Sequence, residues 1–561
     1  MSTVISQQDD SSTTPRPGPP APQPRLGIQG PVVGWQDPWA GAASDAIMRT
    51  GTGVLLDSQD GWASPELFLQ LLDDLGADFY LHHVMPDLQG QQQIIKDVSA
   101  AGLQVVLGNE YGNINGPYAG ETNRYDLPDQ AVADAADAGV LAGVLYDEPE
   151  HLQMNAGQYR KDAFLPHFGS TEGLDAAGAE RQLVKIIGDQ VQKLQRAAEA
   201  TDGEVPVLAE QVFPVMFHTL ARAGMTPCPK VMKESFQPLQ LATALGAALQ
   251  YGRQLWICAD LWGPDIGPWF TRAPGFPGHS PAEYAAALRM AYLFGPTHLF
   301  TENVDVLARY DGDRFHRTEF GEVWAEFVRD FVPAHPLAWT FRDARPSTVL
   351  IHAEDSNFGR GIRPFGDRTR TADERSNSIF QAWHLLSRGT IPRHGSCLHI
   401  DGFPSPRKQL NQVARPDFPL DSGVPQGEPA TTVHPLFHAA TNTVVYDEAV
   451  THDQLGPAEL IMVAGSRLPE QTLRLVRARA EAGATVVIAD WLTSAEWSDN
   501  RRLGEGQWIV TDQLDGDDAR EAVDPLLGPA DLWTQRFGNS EVHFRPAADD
   551  PTALDIDVIN V

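Results

Sequence analysis

Cysteine is rare in this chain and long apolar runs are missing, and each shortage excludes a class of protein. The 561 residues contain three cysteines, Cys228, Cys258 and Cys397, at wide spacings and with no CxxC pair. This pattern argues against a zinc knuckle or a disulfide framework and is typical of reduced thiols, so we predict a cytoplasmic protein. No apolar run reaches the roughly 20 residues that a bilayer-spanning helix needs, so we expect no membrane segment.

Positive charge is also scarce. Lys and Arg total 42 against 74 Asp and Glu, which gives a formal net charge of −32. A surface this acidic repels phosphate backbones and anionic lipid headgroups, so we expect neither nucleic acid nor a membrane as a partner. The first 26 residues are rich in Pro, Ser and Thr and have no apolar core like that of a secretory signal, so we predict a disordered N-terminus.

A strand–helix rhythm runs through residues 27–340, which we assign to one catalytic domain. Helical spacing covers residues 64–76, 89–102, 129–139, 174–201, 239–252 and 280–295. Eight short apolar runs alternate with them, at residues 51–57, 78–84, 104–112, 141–148, 205–212, 230–236, 254–262 and 297–303. Alternation of this kind predicts a parallel sheet, and eight units predict a (β/α)8 barrel. An open doubly wound sheet is the competing fold, but the first run lacks a Gly-rich phosphate loop.

Polar side chains end nearly every one of these predicted strands. In a (β/α)8 barrel the strand ends where the chain exits line the active site, so these residues should meet on one rim. Rings among them suit a sugar, which presents flat C–H faces and many hydroxyls. The predicted rim residues are Asp57, His82, His83, Asn109, Glu110, Tyr111, Asp147, Glu148, Glu210, Glu234, Asp260, Trp262, Glu302 and Asn303.

The stretch GVLYDEPEH, residues 143–151, ends a buried strand in two adjacent carboxylates followed by a proline. Cleavage of a glycoside needs one protonated carboxyl group and a second carboxylate that attacks the sugar or activates water. Repulsion within an Asp-Glu pair favours a retained proton, so we assign the acid to Glu148, with Asp147 beside it. Successive strand residues point to opposite sides, so only one of the two faces the substrate unless Pro149 bends the chain.

The second carboxylate should lie across the barrel from Glu148. Glu302, Asp260 and Glu234 end the predicted eighth, seventh and sixth strands. We favour Glu302 because its neighbour Asn303 could orient a substrate hydroxyl. Eight of the other rim residues are assigned to substrate binding: Asp57, His83, Asn109, Glu110, Tyr111, Glu210, Trp262 and Asn303.

Residues 341–503 change character and read as a separate α/β domain of the flavodoxin or amidotransferase type. The stretch ELIMVAGSRLPEQTLRLVRARAEAGATVVIADW, residues 459–491, predicts strand, loop, helix and strand. It has no nucleophile elbow and no Gly-rich dinucleotide signature, so we expect a structural role, such as a contact within a homodimer or homotrimer. Residues 504–561 are expected to form an appended β-rich segment.

A barrel followed by this α/β stretch resembles the family 42 β-galactosidases and related glycoside hydrolases. The resemblance implies glycosidase activity without a cofactor, with an Asn-Glu acid/base at strand four and a Glu nucleophile at strand seven. Glu148 matches the acid/base position, preceded here by Asp147 where the family has Asn. Strand seven ends in Asp260, and the Asn109-Glu110 pair lies one strand earlier than in the family.

Several alternatives stay open at this point. The Asp-Glu pair also resembles that of substrate-assisted N-acetylhexosaminidases, and a galactoside phosphorylase or a sugar-binding protein without activity is conceivable. His82 and His83 with Asp57 and Glu234 could hold a metal for hydrolysis, although adjacent strand histidines face opposite ways. Lys233 could form a Schiff base, although its neighbour Glu234 takes the predicted rim position.

Overall fold

The computed structural model describes residues 21–31, 37–39, 63–84, 88, 90–108, 127–149, 174–212, 214–232, 236–261, 280–302, 304–357, 374–391, 393, 436–456, 458–550 and 552–561. Within these ranges eight parallel strands form one closed barrel, joined in chain order from β1 to β8. They are β1 (Arg25–Gln29), β2 (Phe79–His83), β3 (Gln104–Gly108), β4 (Leu141–Asp147), β5 (Val207–Gln211), β6 (Thr226–Val231), β7 (Trp256–Ala259) and β8 (His298–Thr301). The predicted (β/α)8 barrel is therefore confirmed.

The first strand differs from the prediction. Strand β1 is Arg25–Gln29, which pairs with both β2 and β8 and closes the barrel. The sequence pattern predicts strand one at residues 51–57, which lie outside the described residues, and it predicts disorder through residue 26, which is wrong for Arg25 and Leu26. The run RLGIQ is short and follows a Pro-rich stretch, so composition hid a strand that long-range pairing stabilises.

Strand six is also shifted toward the N-terminus. It spans Thr226–Val231 instead of residues 230–236. Pro227 and Pro229 lack the N–H that a sheet needs, which argued against a strand here. The register of β6 is nevertheless clear. Its Cys228 lies opposite Glu210 of β5, and its Lys230 lies opposite Cys258 of β7.

Helices surround the barrel close to the predicted positions. Ser64 and Ser280 cap the N-termini of two of them, each accepting a hydrogen bond from a backbone N–H three residues later. A short helix after β5 was not predicted. The barrel helices are Pro65–Asp74, Gln91–Ala101, Asp129–Asp137, Ala176–Ala197, Phe217–Arg222, Gln237–Gln250, Pro281–Leu293, Val304–Leu307 and Glu319–Glu326.

Two further sheets follow a small hairpin of β9 (Ala308–Tyr310) and β10 (Phe315–Arg317). A six-stranded sheet has the order β13-β11-β14-β15-β17-β16, and a four-stranded sheet has the order β12-β18-β19-β20. The former is parallel except for β16, which is typical of a flavodoxin-like layer. Strand β17 belongs to it although it lies beyond the boundary that we drew at residue 503.

The strands are β11 (Thr348–His352), β12 (Ala440–Thr441), β13 (Thr443–Tyr446), β14 (Leu460–Ala464), β15 (Thr485–Ala489), β16 (Arg501–Leu503), β17 (Gly506–Thr511), β18 (Trp533–Phe537), β19 (Ser540–Pro546) and β20 (Leu554–Asn560). The helices here are Glu374–Leu386, His452–Leu455, Glu470–Glu481 and Asp517–Val523. Among the described residues, no helix combines the length and the hydropathy that crossing a membrane requires.

The barrel and the six-stranded sheet are in direct contact. A Cβ placed on Gly246, in the helix after β6, would lie 1.6 Å from the Val445 carbonyl oxygen on β13. Beside it, Arg222 pairs with Asp447 and Glu448, and Glu354 accepts hydrogen bonds from His218 and Thr219. The second domain is therefore packed on the barrel helices through both close backbone contact and buried charge.

Candidate active site

Side-chain alternation along the strands positions the candidate site. The lower barrel interior is apolar, formed by Phe79, Leu81, Val106, Leu145, Leu208, Cys228, Trp256, Cys258 and Phe300. Residues two positions further along the same strands point into the same interior, at the ends where the chain exits. Those positions hold His83, Asp147, Glu210, Lys230, Asp260 and Glu302, so a polar layer lies directly above the apolar one.

Lys230 is the centre of this layer. Its Nζ lies 2.9 Å from Glu302 Oε2, 3.0 Å from Asp147 Oδ1 and 3.2 Å from Glu148 Oε1. Asp260 Oδ2 and Glu210 Oε2 are at 3.5 and 3.8 Å. Five carboxyl groups at the ends of four strands thus converge on one buried ammonium. Lys230, which the sequence pattern did not reveal, is the cation that they share.

The two carboxylates of the Asp-Glu pair both face the site, which a regular strand would prevent. Asp147 follows the alternation of β4, whereas Glu148 has φ of +43°, in the left-handed region that non-glycine residues seldom adopt. This turn of the backbone brings Glu148 to the same side as Asp147. The amide of Glu148 still donates to the Glu210 carbonyl at 2.8 Å, so the strand edge continues to fix its position.

Backbone hydrogen bonds fix the other two strand ends in a similar way. The amide of Asp260 donates to the Val231 carbonyl at 3.0 Å, and the amide of Glu302 donates to the Ala259 carbonyl at 3.0 Å. Both residues therefore continue the sheet ladder by one position, and their side chains enter the site from a rigid base.

Burial makes the charges of this site interdependent. Asp147, Glu148, Glu210, Lys230, Asp260 and Glu302 are each at most 6% exposed. Burial opposes ionisation of Lys230, but the carboxylates around it, Asp147 and Glu210 foremost, hold its pKa well above the ordinary value. Lys230 is therefore a permanent cation.

Glu210 is at the floor of the site and behaves differently. Burial raises the pKa of Glu210 well above its ordinary value, and the Lys230 ammonium only partly offsets this. Its two oxygens accept no hydrogen bond within the described residues other than a contact with the Cys258 thiol. Of the two forms of Glu210, the buried site therefore favours the protonated one.

The two cysteines of the barrel interior are not nucleophiles. Cys228 and Cys258 are free and buried, and burial raises the pKa of each thiol well above its ordinary value. Since the thiolate is the reactive form, neither side chain suits covalent catalysis.

A metal ion fits this layer poorly. Glu210, Cys258 and Glu302 offer three donor atoms within 4.8 Å of one another. The Lys230 ammonium already lies 2.9 Å from Glu302 and 3.8 Å from Glu210, so a second cation there would meet strong repulsion.

The histidine-based metal alternative also loses its geometry. His83 points into the barrel, whereas His82 points outward, where its Nδ1 lies 3.0 Å from the buried Asp37 carboxylate. The Tyr80 hydroxyl donates to the same Asp37 oxygen at 2.9 Å. The two histidines therefore face opposite sides of β2, as the alternation of strand residues predicted, and this argues against a shared ligand sphere.

Seven predicted site residues lie outside the described residues: Asp57, Asn109, Glu110, Tyr111, Glu234, Trp262 and Asn303. Lys233, the Schiff-base candidate, lies outside them too. Of the remaining six, Asp147, Glu148, Glu210, Asp260 and Glu302 share contacts with Lys230, and His83 occupies the matching position on β2.

Lys230 and Gln29 are the inward-facing polar residues that sequence reasoning missed. Both lie on strands whose frames were misplaced, β6 and β1. The alternation Cys228–Pro229–Lys230, with a cysteine and a lysine two residues apart, carried the signal for β6, and the two prolines obscured it.

Comparison with known proteins shows which fold this is. No protein-family model matches the chain, and no curated protein matches it in sequence. Among solved structures it is similar to a β-galactosidase from Bacillus circulans sp. alkalophilus, with 8% identity, a TM-score of 0.52 and 93% of each chain covered. A family 42 β-galactosidase from G. stearothermophilus gives 9% identity and a TM-score of 0.51, covering 94% of this chain and 92% of that one. The chain therefore has the architecture of the family 42 β-galactosidases over nearly its whole length.

Proposed function

We propose that the protein is a glycoside hydrolase that cleaves a glycoside or an oligosaccharide by two-carboxylate catalysis at the carboxyl ends of the barrel strands. The observation that carries this proposal is the buried layer in which Glu148 and Glu302 contact one Lys230 ammonium. The fold, which is that of known β-galactosidases, supports the same class of reaction.

The contacts of these two carboxylates with one ammonium are compatible with retention of configuration. One oxygen of Glu148 and one of Glu302 lie 3.2 and 2.9 Å from the same Nζ atom, so they cannot be farther apart than those two distances combined. The limit applies to the two oxygens that contact Nζ, and it is compatible with the ~5–5.5 Å between the carboxyl groups of retaining enzymes. We therefore assign Glu302 the role of nucleophile in this proposal.

The proposed reaction then has two steps. Glu148 donates its proton to the glycosidic oxygen while a Glu302 oxygen attacks the anomeric carbon, and the aglycone leaves as an alcohol. Glu148, now ionised, takes a proton from water, whose oxygen attacks the same carbon and releases the Glu302 carboxylate. Repulsion among five buried carboxyl groups favours a retained proton, which is the proton that Glu148 would donate in the first step.

The test is a pair of isosteric substitutions assayed on a panel of nitrophenyl and natural glycosides. Glu148→Gln should lower the rate on natural glycosides by about 10² to 10⁴, with a smaller loss on nitrophenyl glycosides, whose leaving group needs less protonation. Glu302→Gln should slow both kinds of substrate. Asp260→Asn and Glu234→Gln test the rival second carboxylates, and Glu322→Gln, a surface change, is the control.

The stereochemical outcome gives an independent check. NMR of the first-formed sugar should show the anomer of the substrate. Inversion, or full activity of Glu148→Gln on every substrate, contradicts the proposed roles. If Asp147→Asn abolishes activity while Glu148→Gln does not, the acid is the other member of the pair.

Assembly and location are proposed on separate grounds. We propose a carbohydrate substrate, a homodimer or homotrimer formed through residues 341–503, and a cytoplasmic location, which the free buried Cys228 and Cys258 favour. Light scattering that gives a monomer of about 61 kDa at micromolar concentration would exclude the oligomer.

A further inference from the structure

We propose that Lys230 is a positioning residue of this site, whose ammonium holds Asp147, Glu148 and Glu302 in their catalytic arrangement. This inference rests on the proposed function. The resemblance to the family 42 β-galactosidases concerns residues of strands four and seven. The role of Lys230, on strand six, is therefore argued from the geometry.

The first argument is the number and distribution of the contacts. Nζ forms hydrogen bonds to Asp147 and Glu148 at the end of β4 and to Glu302 after β8, at 2.9–3.2 Å. An ammonium has three donors, and here each has a carboxylate acceptor on the catalytic rim. Removing the ammonium would therefore take away one shared contact from side chains on opposite sides of the barrel.

The second argument is charge. Without Lys230, five buried carboxyl groups would lose the ammonium that each of them faces. Like charges at such distances cannot coexist unless most of the groups take up protons. Lys230 thus also determines how many protons the layer carries. The titratable groups that face its Nζ from the surrounding strands are Asp147, Glu148, Glu210, Cys258, Asp260 and Glu302, with Cys228 and His83 in the same interior.

The third argument separates this role from two others that a buried lysine could have. A Schiff-base lysine needs a neutral amine, whereas the carboxylates keep Lys230 charged. A lysine that merely blocks the site would occupy the space between Glu148 and Glu302 and would have to leave before substrate binds. These alternatives predict different results for the same variants.

The experiment compares Lys230→Met with Lys185→Met, a matched change at an exposed lysine that forms a surface ion pair with Asp189. Lys230→Met should lower kcat by about 10²- to 10³-fold, the loss typical of removing one preorganised electrostatic contact. Its pH–rate profile should shift toward alkaline pH because carboxyl groups without a cation hold their protons longer. In Lys230→Ala, propylammonium should restore activity in part, and propanol should not.

Outcomes that would overturn the proposal are equally specific. A Lys230→Met enzyme with the wild-type pH profile and a kcat within about threefold of wild type, well inside the loss expected for a preorganised contact, shows that Lys230 positions nothing. A gain in activity shows that it blocks the site, and trapping of a substrate on Lys230 by borohydride shows a Schiff base.

A further measurement works without activity and covers variants that lose stability. In Lys230→Met the carboxyl groups take up protons on folding, so the free energy of unfolding should fall more steeply with rising pH than in the wild type. If the wild type hydrolyses no glycoside, the proposed function fails, and this slope alone decides the role of Lys230. Equal slopes overturn it.

Discussion

The contact between Glu354 and the barrel offers a direct test of how the second domain is held. Glu354 is buried just after β11, and its Oε1 accepts from the His218 amide at 3.0 Å and faces His218 Nδ1 at 3.1 Å. Its Oε2 accepts from the Thr219 amide at 2.8 Å and from the Thr219 hydroxyl at 2.9 Å. His218 Nε2 lies 3.1 Å from the Val445 carbonyl, so both ring nitrogens face acceptors and the imidazole must be protonated.

Glu354→Gln should therefore cost about 3–5 kcal/mol of unfolding free energy, the usual effect of removing one partner of a buried ion pair. The amide group of glutamine would also turn a donor toward the N–H of Thr219 or the imidazolium, which leaves at least one donor unpaired. Glu470→Gln is the matched control, because its pair with Arg474 is on the surface, with both side chains about 70% exposed. That change should cost no more than about 0.5 kcal/mol.

The dependence on pH has a definite sign. Burial opposes ionisation of Glu354, but the hydrogen bond and charge of His218 lower the pKa of Glu354 below the ordinary 4.5. The contribution of Glu354 to the free energy of unfolding is therefore lost as pH falls through that lowered value. Burial likewise opposes protonation of His218, but Glu354 raises its pKa above the ordinary 6.5, so the contribution is lost as pH rises through that raised value. Between about 4.5 and 6.5 both contributions are complete.

Urea unfolding at pH 5.5 should show the full difference between wild type and Glu354→Gln, and a series toward pH 9 should show the difference shrinking. A difference below about 1 kcal/mol at pH 5.5, the size of one ordinary hydrogen bond, would refute the argument. A difference that does not change with pH would show that the histidine is neutral.

Three further predictions concern the backbone and the barrel core. The Glu148→Gly variant should be about 1 kcal/mol more stable than Glu148→Ala in thermal unfolding, because glycine adopts φ of +43° without strain. Equal stability of the two variants would show that the backbone at Glu148 is not strained. Gly246→Ala should lower stability by about 1–3 kcal/mol, since its Cβ would meet the Val445 carbonyl oxygen, whereas Gly188→Ala, with its nearest neighbour at 3.4 Å, should be neutral or stabilising. Burial lowers the pKa of His298, whose ring stacks on Trp256, to about 3. Because the unfolded chain binds the proton first, the free energy of unfolding should decline as pH falls from about 6.5. The His298→Phe variant should show a flatter decline in acid unfolding curves.

The sequence by itself determined the eight-unit α/β alternation and the position of most elements. Local signals suffice for this, since the helix Pro65–Asp74 has a serine cap and a helical apolar stripe, and β4 is an uninterrupted apolar run. The acidic strand ends Asp147, Glu148, Glu210, Asp260 and Glu302 were visible for the same reason: a polar residue directly after a buried strand is a local feature. Their convergence followed from the barrel topology.

Only the tertiary structure decided which strand closes the barrel and what lies at its centre. Strand β1 has five residues and is stabilised by pairing with β2 and β8, and those partners are far away in sequence. Lys230 was missed because Pro227 and Pro229 obscure β6 in the sequence. The predicted strand began four residues too late, and such a shift moves each side chain to a different level of the barrel. The left-handed turn at Glu148 was equally invisible, since it reverses the strand alternation at one residue. The direction of a side chain depends on strand register and on single backbone angles, and both are set by strand pairing and packing. The closing strand β1, the position of Lys230 and the turn at Glu148 therefore depend on the tertiary structure, and they decide the chemistry of the site.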